Sequence, residues 1–271
     1  MSRISSLCVV VVAAMLLPGP GAAEEWQDKA KVRLIDGGML ADGVTRLAGL
    51  EILLDPDWKT YWRNPGDSGI PPKMDFSGSD NVAAVTAEWP APQLSFDGYG
   101  WVIGYTEAVI FPLLIEPDEP GAPSNLNLKL DYAVCKDICI PAQAEVAVVL
   151  DGAKPRTAEI DFFRRRVPAP IETPTETGGV VSGAVVRQDD KPVLQLVVRF
   201  PSDAEDGFAL VEGPEDWYLP VPERAGTDAA GNAVFEVPLE SVADQAGIAG
   251  TTIRVTGVSP DFSFEQALTL D

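Results

Sequence analysis

Cys135 and Cys139 carry the clearest chemistry in this chain. Two thiols four residues apart can form an exchangeable pair, a fixed clip, or two soft ligands for a metal such as Cu(I). On one straight strand they would lie about 13 Å apart, whereas a disulfide needs Cα atoms within roughly 7 Å of each other. Pairing therefore requires a bend through Lys136-Asp137-Ile138, with Pro141 fixing the exit. A bridge over so short a loop removes little entropy from the unfolded chain, so it is poorly placed as a staple. Exchange also needs an accessible thiolate. Lys136 favours one, while Asp131 and Asp137 oppose it. Redox exchange, a structural clip and metal binding all stay open on these residues alone.

Composition narrows the surroundings. The chain of 271 residues contains no histidine, which removes the commonest general base and metal ligand and excludes Ser–His and Cys–His hydrolases. Residues 1–23 read as a signal peptide: Arg3, then an apolar run from Leu7 to Leu17, then small residues ending at Ala23. That run is shorter than the ~20 residues a membrane span needs. The only other cysteine, Cys8, lies inside it. Cleavage leaves an even cysteine count in an exported chain, which favours a disulfide. It also moves the formal net charge from −21 to −22, because Arg3 is the only charged residue lost. Such a charge repels nucleic acid and anionic membranes. A soluble protein without direct membrane insertion, nucleic-acid partner or cofactor is expected.

The elements that must position the thiols read as short strands. Lys31–Ile35, Val44–Leu54, Trp58–Trp62, Val82–Glu88, Glu107–Ile115, Leu126–Val134 and Glu145–Leu150 have strand character, and 24 glycines and 24 prolines punctuate the chain. Asn64-Pro65-Gly66 is a turn signal that ends the third of these. Many short strands with frequent turns predict a β-sandwich over 24–152. Thr157–Arg166 reads as a helix, with its arginines opposing the dipole at the C-terminus, and Pro168 and Pro170 stop it. A Pro-, Thr- and Glu-rich linker completes the joining segment, 153–179. Strands near 180–186, 193–200, 208–211, 233–239, 251–258 and 264–270 predict a second sandwich over 180–271.

Three motifs carry a resemblance to a known family. Tyr132-Ala-Val-Cys-Lys-Asp-Ile-Cys-Ile-Pro141 resembles the active-site loop of the N-terminal periplasmic domain of the DsbD/ScsB family of protein-disulfide reductases. Trp58-Lys-Thr-Tyr-Trp-Arg-Asn-Pro-Gly-Asp-Ser-Gly-Ile-Pro-Pro72 resembles a signature of the ScsB-type branch. Trp89-Pro-Ala-Pro92 and Phe96-Asp-Gly-Tyr-Gly-Trp101 resemble the approach to, and the cap over, the active site.

The resemblance implies an immunoglobulin-like fold, here as two all-β sandwich domains joined by a short helix and linker. It implies a periplasmic thiol–disulfide oxidoreductase that takes electrons from a thioredoxin-like protein fed by a membrane electron carrier and passes them to oxidised clients. It assigns the mixed disulfide to Cys139, resolution to Cys135, and a shielding cap loop to Phe96, Asp97, Tyr99 and Trp101. Full-length family members also carry the carrier and the thioredoxin-like domain. This chain ends at Asp271 with neither, which implies a stand-alone shuttle or one part of a split system. The rival readings are a binding module with a structural disulfide and a Cu(I)-binding copper-tolerance protein, since the ScsB branch is associated with copper tolerance.

Other residues have plainer roles. Trp58, Tyr61, Trp62 and Tyr132 are expected in the core, and Arg63 and Asp67 are expected to pair across their turn.

Overall fold

A computed structural model describes residues 29–201, 206–244 and 247–270. The expected signal peptide, with Cys8, lies outside them. Among the described residues, no helix is long and apolar enough to cross a membrane.

The first domain contains β1 (Ala30–Met39), β2 (Arg46–Leu54), β3 (Lys59–Gly66), β4 (Lys73–Asp75), β5 (Ala84–Ala87), β6 (Gln93–Phe96), β7 (Trp101–Thr106), β8 (Ala108–Glu116), β9 (Ser124–Cys135) and β10 (Cys139–Leu150). They form two antiparallel sheets. One has the order β1-β2-β8-β5; the other runs β10-β9-β3-β7-β6, with β4 added on β9. Leu50, Ile52 and Phe111 of the first sheet meet Trp62, Leu128 and Leu130 of the second in one apolar core.

In β2, residues of both parities are buried, because the outer face of its sheet is also covered. Helix α1 (Thr157–Arg164) lies there, and its Ile160 packs with Ile35, Leu47 and Ile110. The helix ends two residues before the expected Arg166.

The second domain contains β11 (Ala169–Ile171), β12 (Gly179–Gln188), β13 (Lys191–Arg199), β14 (Phe208–Glu212), β15 (Glu223–Thr227), β16 (Ala233–Pro238), β17 (Thr252–Val258) and β18 (Ser263–Thr269). Its sheets are β11-β18-β17-β14 and β12-β13-β16-β15. The protein is thus all-β with two immunoglobulin-like domains. β11 arises within the joining segment 153–179, between the helix and the linker, and pairs in parallel with β18. The domains also share apolar contacts, since Leu210 and Val221 belong to the first domain's core.

Two local differences from the sequence reading bear on function. Asn64-Pro65-Gly66 is not a turn beyond β3 but the last three residues of the strand. The strand continues to Gly66, with its register against β7 broken between Tyr61 and Gly66. The Phe96–Trp101 stretch is the turn of a hairpin between β6 and β7. Asp97 donates its N–H to the Gly100 carbonyl at 3.2 Å, and Gly98 adopts φ +95°, a left-handed value that explains a glycine there.

Candidate functional site

The cysteines occupy the turn of the β9–β10 hairpin. Cys135 ends β9, Cys139 begins β10, and the two face each other as the first pair of that ladder. The Lys136 N–H donates to the Ile138 carbonyl at 3.3 Å, which makes the bend that pairing requires. The sulfurs are joined in a disulfide with Cα atoms 4.2 Å apart. The two ends differ in access: Cys135 is 2% exposed, whereas Cys139 lies open to solvent.

Tyr61 was expected in the core, and its side chain is fully buried. It does not join Trp58 and Trp62 in the main core. It sits with Val102, Ala133 and Cys135 in a separate small cluster. Its hydroxyl lies 2.7 Å from Cys135 Sγ and 2.9 Å from Cys139 Sγ. Burial and the charge of Asp97 push the phenol up to about 12. It therefore remains a protonated donor across the neutral range. Opposite parity from Trp62 is the sequence signal that separates Tyr61 from the core.

The nearby cations are engaged elsewhere. Lys136 turns to Asp57 at 2.9 Å, and that hydrogen bond and charge hold its ammonium above the usual lysine range. Lys59 lies 3.4 Å from Asp97. Burial works against the Asp97 charge. The Tyr99 and Gly100 N–H groups and Lys59 outweigh it, so the carboxyl stays below its usual range.

The expected cap residues fall on one hairpin. Phe96 and Trp101 make an edge contact with centroids 5.5 Å apart. Phe96 is 60% exposed, Tyr99 93% and Trp101 37%. Asp97 anchors the turn to Lys59, and the arrangement leaves Cys139 exposed. Arg63 and Asp67 do not pair with each other. Arg63 binds Glu212 and Glu265 of the second domain, and Asp67 accepts the Trp101 N–H at 2.8 Å. Tyr132 is core, as expected.

The arrangement supplies an exposed sulfur that a foreign thiolate can reach, a buried sulfur that can leave, and one hydroxyl that can donate to either. No curated protein matches the chain. Among solved structures, the N-terminal periplasmic domain of ScsB from Proteus mirabilis superposes with a TM-score of 0.64 at 19% identity, over 89% of this chain and 91% of that one. Residues 37–151 match the family described as thiol:disulfide interchange protein DsbD, N-terminal, a span that holds both cysteines, Tyr61 and the β6–β7 hairpin. Over that span the first sandwich of this chain is therefore similar to DsbD N-terminal domains.

Proposed function

We propose that the protein relays reducing equivalents in the periplasm by dithiol–disulfide exchange at Cys135–Cys139. The observation that carries this reading is the asymmetry of the pair, an exposed Cys139 bonded to a buried Cys135 under a shared phenol. The thiolate of a thioredoxin-like donor, itself supplied by a membrane electron carrier, attacks Cys139 Sγ. The Cys135–Cys139 bond breaks, a mixed disulfide forms, and Cys135 leaves as a thiolate that accepts the Tyr61 hydrogen bond. The donor's second thiolate then attacks its own sulfur in the mixed disulfide and expels Cys139. The donor ends oxidised and this chain carries two thiols. With an oxidised client the sequence reverses: Cys139 attacks, and Cys135 resolves.

A permanent clip fits the site less well, because the bridge joins residues that a long hairpin ladder already holds together. Trapping tests the assignment. Cys135→Ala is expected to accumulate a mixed disulfide with an oxidised client, because Cys139 can attack the client's disulfide but the resolving thiol is gone, and Cys139→Ala is not. Equal trapping by both variants overturns the roles. The reduction potential tests the class of reaction, since a clip lies below about −300 mV and a donor lies nearer the ~−270 mV of thioredoxin.

A further inference from the structure

The chain that follows Tyr61 is held mainly from outside its own sheet. β3 pairs with β7 at Tyr61↔Gly104 and next at Gly66↔Val102, so residues 62–65 pass without a ladder partner on β7. Arg63, inside this stretch, donates Nε and Nη2 to Glu212 at 3.0 and 2.7 Å, and Nη2 also to Glu265. Burial opposes the guanidinium charge, but the two carboxylates keep it more firmly protonated than usual. Both acids belong to one sheet of the second domain, Glu212 on β14 and Glu265 on β18.

Asp67 makes the second attachment. Its N–H donates to the Trp101 carbonyl at 2.9 Å, and its Oδ1 accepts the Tyr218 hydroxyl at 3.3 Å. Tyr218 is presented between Trp217 and Leu219, which pack into the second domain's core. The loop so held folds back on Tyr61. A Cβ at Gly69 would lie 2.5 Å from Cε1 of the Tyr61 ring and 2.6 Å from Cβ of Pro65.

We propose that the second domain positions Tyr61: by gripping Arg63 and Asp67 it seats the 63–69 loop against the phenol ring and aims the hydroxyl at Cys135 and Cys139. This rests on the exchange reading above and gives a domain whose described residues include no cysteine a part in the chemistry. Arg63, Asp67 and Tyr218 are positioning residues. They act through the placement of a donor that must be preorganised to stabilise a thiolate.

The test uses the full chain with Cys135→Ala, which leaves Cys139 as the thiol near Tyr61. The pH dependence of its alkylation by iodoacetamide gives the Cys139 midpoint. Glu212→Gln with Glu265→Gln is expected to raise that midpoint by about half a pH unit, a roughly threefold loss of thiolate at fixed pH. Removing two negative charges would by itself lower the midpoint, so a rise reports displacement of the hydroxyl. Tyr218→Phe, a neutral change at an exposed residue, is expected to act in the same direction by about twofold. In a Tyr61→Phe background neither change should raise the midpoint further, as a double-mutant cycle requires of residues acting through one group. An unchanged or lowered midpoint, or the same shift without the Tyr61 hydroxyl, overturns the proposal. Because no protein partner enters the measurement, its outcome is independent of whether mixed disulfides are trapped.

Discussion

Lys59 stands opposite Cys135 across the β3–β9 ladder and extends its ammonium to 3.4 Å from Asp97 at the tip of the β6–β7 hairpin. One side chain thus links the strand beside the buried sulfur to the turn of the β6–β7 hairpin. The pair also sets the local charge. Asp97 reaches Tyr61 strongly enough to help raise the phenol, and it occupies a cation that would otherwise favour a thiolate. Asp97→Asn should therefore ease ionisation of Cys139. In the Cys135→Ala protein the alkylation midpoint is expected to fall by roughly half a pH unit. A rise would mean that Asp97 acts by holding the hairpin rather than by its charge.

Tyr61→Phe should move the same midpoint the other way. A hydrogen bond to a charged group is worth about 1.5–3 kcal/mol, so loss of the donor predicts a rise of about one pH unit. The phenol itself, pushed up to about 12, contributes no ionisation of its own below about pH 10. A single transition belonging to Cys139 is expected. A profile identical to that of the parent would remove Tyr61 from the chemistry.

Much of this site is legible in the residues. The bend at Lys136-Asp137-Ile138 follows from geometry, because four residues of straight strand cannot bring two sulfurs together. Alternation in Leu126–Val134 marks β9, and it places Tyr132 in the core. Phe96-Asp-Gly-Tyr-Gly-Trp101 is harder to read. Its Asp-Gly pair is a hairpin signal, but the flanking strands are only Gln93–Phe96 and Trp101–Thr106, and β6 is mostly exposed. The partners of Arg63 are not legible at all. Glu212 and Glu265 lie far along the chain, and only the docking of the domains brings them to Arg63. In β2 the burial of both parities has a similar origin, since a helix more than a hundred residues away covers the second face.

The hairpin turns predict the acid limb of stability. Asp42 is held below the usual carboxylate range by the Thr45 hydroxyl and by the Val44 and Thr45 N–H groups. The Asn232 side chain, with backbone N–H groups of the same turn, does this for Asp228. A carboxyl lowered in the folded state contributes stability that is present above its unfolded value of about 3.9 and is lost as pH falls through the folded value. The thermal midpoint is therefore expected to stay level from about pH 7 to 5 and to fall below about pH 4. Asp42→Asn with Asp228→Asn should make that fall shallower. An equally steep fall in the variant would place the acid sensitivity in other carboxylates.

The helix contact predicts a loss of stability that spares the site. Ile160 is fully buried against the outer face of the β1–β2–β8 sheet, and Gly49 gives it room. A Cβ at Gly49 would lie 2.7 Å from Cγ2 of Ile110 and 3.0 Å from Cγ1 of Ile160. Gly49→Ala should cost about 1–3 kcal/mol by overpacking, and Ile160→Ala about 2–4 kcal/mol by leaving a cavity. Because both act in one space, the double variant should lose less than the sum of the two, with the methyl added at position 49 partly filling the void. Denaturant unfolding of the four proteins measures this coupling, and strict additivity would show that Ile160 and Gly49 do not share the contact. The same helix reaches the segment before β6 through Arg164, 3.0 Å from Glu88, and two residues beyond its end the Arg166 carbonyl accepts the Ala91 N–H at 2.8 Å. Those contacts stop short of Tyr61. The Cys139 alkylation midpoint should therefore stay at its parent value in Gly49→Ala, and a shift there would mean that the helix face and the thiol pair are coupled through the sandwich.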